Sequence, residues 1–330
     1  MMKLSAMLRV DGVIDEEGHS PIAERVLERW EHDPGAARFY RSSANFVYTF
    51  LKDDERHFLR FGEQDERSEA AISAEVALLR WLDSQGVDVA APVASRQGRW
   101  VETVATNLGI FHAVVFPQLR GIEMEIENLS AGQFEEWGTS LGWLHTTIRQ
   151  WHDPQMSARP LWSDYLALAR GVGAHDARVQ AEYEYLARWL AALPQTEETY
   201  GLIHGDFELD NLFWRDDSIV MLDFDDCMRC WYVADIAFAL RDLFAAGVDL
   251  GDPSLRAFLH GYARHAALDE ERVAQLPTWL RVVNLIMDAK LTRAMDLTPN
   301  PDQPEWMNAL LVKLRQRQDD YWASLPALPR

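Results

Sequence analysis

The sequence predicts an α+β chain in two lobes, a small one built on an antiparallel β-sheet and a larger helical one. Three observations carry this expectation. Runs rich in aromatic and β-branched residues gather before residue 117, apolar residues at helical spacing dominate after it, and the change falls at FPQLRG, 116–121. The expected boundaries are an amino-terminal lobe over 1–118, with 1–35 as a flanking helical extension, and a carboxy-terminal lobe over 119–330.

Each element has a local reason. Ser20-Pro21 opens a helix, with Ser as N-cap and Pro at the first helical position, and Asp33-Pro34-Gly35 stops it. FVYTFL (46–51) and HFLRF (57–61) read as strands around the turn Asp53-Asp54-Glu55. A helix over about 68–84 carries Ala71, Ala74, Leu78, Leu79 and Leu82 on one side, and Gly86 ends it. Strands are expected near 93–95, 99–104 and 111–116, the last nearly all apolar and so central. Beyond Gly121, Ser130 caps a helix to about 148, and helical spacing returns at 162–170 and 176–192. Two short strand-like runs, 212–214 and 219–222, make a hairpin; from Val233 onward the pattern is helical, broken at Gly247, Pro253, Pro277 and 299–304.

Composition narrows the function. The 330 residues carry a net charge of −20 and no basic run of five or more, which argues against a nucleic-acid partner and against an anionic membrane surface. No run approaches the ~18 apolar residues of a membrane span. MMKLSAMLRVDG lacks the apolar segment of a signal peptide. Two cysteines exclude a disulfide framework, and a cytoplasmic protein is the expectation.

The chemistry concentrates in HGDFELDNLFW (204–214) and the IVMLDFDD that follows. Eight acids stand between His204 and Asp226: Asp206, Glu208, Asp210, Asp216, Asp217, Asp223, Asp225 and Asp226. So many like charges repel unless a cation sits among them. Magnesium, a hard ion that takes a few carboxylate or amide oxygens plus substrate phosphates, is the simplest such cation. The hairpin between Asn211 and Asp223 would bring those two oxygens together as metal ligands, leaving Asp206 to accept a proton from an attacking hydroxyl.

H-G-D-x-x-x-x-N followed by a strand and D-F-D resembles the aminoglycoside phosphotransferase and choline kinase family, over roughly residues 40–245. The resemblance implies a protein-kinase-like fold and an ATP- and Mg2+-dependent transfer of the γ-phosphate to a hydroxyl of a small molecule. It places Asp206 as catalytic base, Asn211 and Asp223 as metal ligands, and His204 and Asp235 as groups that order the loop. Asp225 stands where protein kinases have Gly, and is either a second metal contact or a surface acid. Arg60 takes the place of the lysine on the α- and β-phosphates, oriented by Glu75, with Glu66 and Glu69 as rivals for that partner. RSSANFVYTF replaces the Gly-rich loop, so that Ser42, Ser43 and backbone N–H groups would meet phosphates. The carbonyl of Pro117 and the N–H of Leu119 would meet adenine.

For the acceptor, the negative charge suggests an amine-bearing compound (aminoglycoside, choline or homoserine-like), with Asp242, Asp288 and Trp231 as contacts. Trp231, Tyr232, Trp279 and Trp306 are candidates for an aromatic cage, against which stands ordinary core packing. The rival readings are a Ser/Thr protein kinase and a non-catalytic nucleotide-binding pseudokinase. Cys227-Met-Arg-Cys230 lacks a second pair for zinc and reads as two separate thiols. His145 and His152 read as packing or capping residues.

Overall fold

Alternation sets the small sheet. In β2 (Phe46–Lys52) Phe46, Tyr48 and Phe50 point inward, and in β3 (Glu55–Glu63) His57, Leu59 and Phe61 do. The computed structural model describes residues 1–35, 37–172, 176–215 and 218–325. With β1 (Arg38–Ser42), β4 (Glu102–Thr106) and β5 (Gly109–Pro117) the strands form one antiparallel sheet in the order β1-β2-β3-β5-β4. Asp53 and Asp54 turn the β2–β3 hairpin at φ 54° and 62°, the left-handed region that a two-residue hairpin turn demands. Their N–H groups both donate to the Asp33 carboxylate, at 3.0 and 2.8 Å.

The sheet differs from the sequence expectation at its margins. β1 is exposed along most of its length, so no apolar alternation announces it. The strand expected near 93–95 is a single bridge from Val93 to Val115, and the one expected at 99–104 begins at Glu102.

Helices α1 (Leu4–Asp11) and α2 (Pro21–Leu27) lie against this sheet, and Ser20 caps α2 as its sequence requires. Helix α3 (Glu69–Ser84) is capped by Ser68, whose Oγ accepts from Ala71 N–H at 3.2 Å. The larger lobe holds α4 (Ala131–Ile148), α5 (Trp162–Val172), α6 (Ala177–Ala192) and α7 (Tyr232–Ala239), then α8 (Pro253–Tyr262), α9 (Glu270–Ala274), α10 (Leu276–Ala294) and α11 (Glu305–Ser324). Two short strand pairs complete it: β6 (Tyr200–Ile203) with β9 (Met228–Trp231), and β7 (Leu212–Arg215) with β8 (Ser218–Met221). β6 and β9 are unannounced by sequence; each has four residues, too few to show a period. Among the described residues no helix is long and apolar enough to cross a membrane.

Among the described residues two large apolar clusters form the interior, beside a small one of Ile72, Val76 and Val114. One joins α1, α2 and the sheet, and α11 contributes Met307, Leu311 and Leu314 to it. The other fills the helical lobe and takes in Leu78, Leu79 and Leu82 of α3 and, at its edge, Trp322 of α11. Within it α4 and α8 cross with their backbones touching. A Cβ on Gly138 would stand 1.9 Å from the Phe258 carbonyl oxygen, and one on Gly261 would stand 1.8 Å from that of Glu135. Main chain cannot yield as a side-chain tip can, so Gly138→Ala should cost about 3 kcal/mol, at the upper end of overpacking penalties. Urea unfolding measures this; an unchanged midpoint would contradict the crossing.

Candidate active site

The β7–β8 hairpin does the assembling. Leu212 pairs with Met221, and the N–H of Leu222 donates to the Asn211 carbonyl at 3.1 Å, so Asn211 and Asp223 flank its open end. Asp216 and Asp217 lie outside the described residues. Upstream, the loop 204–211 is fixed by Asp235 of α7, which is fully buried. Its carboxylate accepts from the N–H of His204 at 2.7 Å and of Gly205 at 2.8 Å. His145 of α4 adds Nε2 at 2.9 Å, and its Nδ1 meets the Tyr262 hydroxyl at 2.9 Å. The His204 ring reaches the Leu222 carbonyl through Nε2 at 3.1 Å, and burial lowers its pKa. Both histidines therefore order backbone and do not face a ligand.

Asp206, Asn211 and Asp223 line one cleft of about 310 Å3 between the lobes. Asn211 Nδ2 donates to the Asp206 carboxylate and to its backbone carbonyl, both at 2.9 Å. The amide nitrogen is thereby used, and its oxygen is left to accept a cation. Asp223 sits in the left-handed region at φ 58°. Burial, then the charge of Asp225, pushes its carboxyl up to about 7, with Arg60 opposing. Burial, then Asp226, raises Asp206 too. Like charges crowded in a buried cleft favour a cation between them, and the donor set of one amide and one carboxylate oxygen suits a hard one. Among the described residues no three His, Cys, Asp or Glu side chains gather closely enough to hold a metal by themselves, so phosphate and water oxygens would have to complete its shell.

On the small-lobe side, Arg60 Nη2 donates to Glu75 at 2.8 Å and Nη1 to Asp223 at 3.4 Å, under a fully buried Glu75. Of the rival acids, Glu66 pairs with Arg293 at 2.8 Å and Glu69 is exposed. Ser43 lines the cleft. Ser42 does not: its hydroxyl donates to Asp11 at 2.8 Å, because strand alternation turns it away from its neighbour. Burial raises Asp11 to about 6, with that hydrogen bond opposing. Protonation of Asp11 thus favours the folded state, a contribution full below pH 3.8 and lost as pH rises through about 6. Asp11→Asn should flatten the melting temperature between pH 4 and 7, and an identical pH profile would refute this. Pro117 ends β5 opposite His57, and Leu119 follows half-buried in the connection between lobes.

The acceptor candidates separate. Asp288 lines the cleft and is buried among neutral donors: Gln318 Nε2 at 3.1 Å and Trp322 Nε1 at 3.1 Å. Burial raises its pKa, against those hydrogen bonds. Asp242 is exposed and is not part of the cleft wall. Trp231 is in the core, with ring centroids 5.1 Å from Tyr200 and 5.6 Å from Trp279, away from the cleft. The four-ring cage is not assembled, since Trp306 is exposed on α11, but Trp231, Tyr232 and Trp279 line a separate cavity of about 180 Å3. Cys227 and Cys230 are buried free thiols.

Several pairings in and around the cleft escape sequence reasoning. Glu208, two residues past Asp206, pairs with Arg241 at 2.6 Å, and burial, with Arg241 opposing, lifts it to about 7. Asp226 pairs with Lys290 at 3.0 Å and Arg67 at 3.3 Å; burial alone would raise it, but these cations hold it well below the usual carboxylate range. Arg159 donates to the carbonyls of Phe224, Asp225 and Cys227. Only the density of acids hinted at these cations, since their partners lie far away in sequence.

The model of the phosphotransferase enzyme family matches residues 36–276. The amicoumacin kinase of Bacillus subtilis (strain 168) is 27% identical over 300 residues, covering 87% of this chain and 89% of that protein. Among solved structures, an amicoumacin kinase in complex with AMP-PNP, Ca2+ and Ami superposes with a TM-score of 0.76 at 24% identity, over 94% of this chain and 95% of that one. A microcompartment-associated aminopropanol kinase superposes with a TM-score of 0.67 at 25% identity, over 92% and 97%.

Proposed function

This chain belongs to the phosphotransferase enzyme family and acts as an ATP-dependent kinase of a small molecule, and from that premise we propose that its acceptor is a hydroxyl compound carrying an amine. Asp206 is the base that takes the hydroxyl proton, and Asn211 and Asp223 hold magnesium. Bound there, the ion would neutralise charge on the phosphates. The observation that carries this reading is the convergence of Asp206, the free oxygen of Asn211 and the raised acid Asp223 on one cleft. Arg60, set by Glu75, would meet the α- and β-phosphates, and Ser43 with backbone N–H groups of its turn would cover them. Pro117 and Leu119 offer a carbonyl and an N–H to adenine. The buried Asp288, surrounded by neutral donors, suits an ammonium group. That one similar solved structure is an aminopropanol kinase supports an amine-bearing acceptor. An ATP-consuming reaction also agrees with the cytoplasm expected from the sequence.

The test is phosphotransfer from Mg-ATP to a panel of amino alcohols, amino-glycosides and amine-free polyols. Turnover confined to the amine-free compounds would reject the acceptor class. Turnover equal in the wild type and Asp206→Asn would reject the catalytic assignment.

A further inference from the structure

The turn over the phosphate side, residues 43–45, contains no glycine and yet must keep a fixed height above the metal acid. Its position is set across the cleft. Asn45 is buried, and its Nδ2 donates at 2.9 Å to Oδ2 of Asp225, a residue 180 positions away in the chain. The same Oδ2 takes Arg67 Nη2 at 2.6 Å, and Arg67 also donates to the Asp225 backbone carbonyl. On its other side Asn45 rests on Gly62 of β3, where a Cβ would come within 3.2 Å of Oδ1. Asn45 is thus gripped between the side-chain-free position Gly62 of β3 and the loop that presents Asp223.

We propose that Asn45 is a positioning residue for phosphoryl transfer: through Asp225 it locks the β1–β2 turn to the metal loop, and so fixes the gap in which the terminal phosphates lie. This rests on the function proposed above. Asp225 is then the large-lobe half of a clasp between lobes, with Arg67 paired to it at 2.6 Å. A hydrogen bond to a charged group in so dry a place is strong and directional, and it gives a glycine-free turn the definition that backbone contacts alone would not.

The decisive experiment exchanges the two partners. Asn45→Ala should raise KM for ATP and the Kd for AMP-PNP, measured by calorimetry, about tenfold or more, the range of one charge-assisted hydrogen bond. KM for the acceptor should stay within about twofold. Asn45→Asp, which sets two carboxylates face to face, should weaken AMP-PNP binding further. The double variant Asn45→Asp/Asp225→Asn restores a carboxylate–amide pair and should recover most of that loss. Gly62→Ala, which presses on Asn45 without removing it, should shift the same two constants. Unchanged nucleotide constants in Asn45→Ala, even with a lowered melting temperature, would overturn the proposal, as would a double variant no better than Asn45→Asp. Asp206→Asn run in parallel separates the two levels. Turnover that depends on Asp206 but not on Asn45 overturns the clasp alone. Turnover indifferent to Asp206 overturns the proposed function, and the clasp's role falls with it.

Discussion

Asp206→Asn is expected to lower the phosphotransfer rate by at least ~10², the contribution of a well-placed general base, while leaving nucleotide binding and stability close to wild type. The substituted amide keeps the shape of the carboxyl, and its oxygen can still accept from Asn211 Nδ2, so the 2.9 Å contact survives. Burial already disfavours the charge at this position, so removing it cannot weaken the fold by loss of an ion pair. The prediction is therefore a drop in kcat with the AMP-PNP Kd within about threefold. A variant whose kcat stays within a few-fold of wild type would mean that the acceptor's proton leaves by another route.

Asp223→Asn is expected to separate activity from stability. Activity should fall by ~10² to 10³, the range for removing one electrostatic contact to developing charge, and thermal stabilisation by Mg-AMP-PNP should largely vanish. The ligand-free protein should nevertheless melt no lower than wild type at pH 8. Burial and the charge of Asp225 raise the Asp223 carboxyl to about 7, with Arg60 opposing. Its favourable contribution is full below pH 3.8 and gone once pH has risen through about 7, so at pH 8 the wild type carries the whole burden of an ionised buried acid. The amide does not titrate, and Arg60 keeps Glu75 at 2.8 Å. The advantage of the variant should shrink at pH 5. A ligand-free variant that melts well below wild type at pH 8 would show instead that the Arg60–Asp223 contact holds the lobes together.

What could be read from the sequence followed chain proximity. Asp206, Asn211 and Asp223 are linked by one short hairpin, so their convergence needed only the spacing of two strands. Helix α3 announced itself by an apolar side at helical spacing, and α4 by Ser130, which caps its first turn. The misreadings come from pairings that spacing cannot encode. Ser42 is expected at the phosphates with Ser43 because their segment replaces the Gly-rich loop, yet Asp11 takes its hydroxyl from another element. Trp231 was expected at an acceptor because aromatic rings bind cations, but Tyr200 and Trp279 enclose it. Asp242 and Asp288 looked alike in sequence; only the folded helices leave one in water and put the other under Gln318 and Trp322. Arg67, Lys290 and Arg241, which answer the acid cluster, arrive from before and after it with no local signal.

Helix α11 begins in one interior and finishes in the other: Met307, Leu311 and Leu314 belong with the small sheet, while Gln318 and Trp322 hold Asp288. A strut rooted at both ends denies either half a private melting transition. Calorimetry should record a single endotherm, and loosening the helix at its first turns should be felt at the far end, as weaker binding of the amine proposed to meet Asp288.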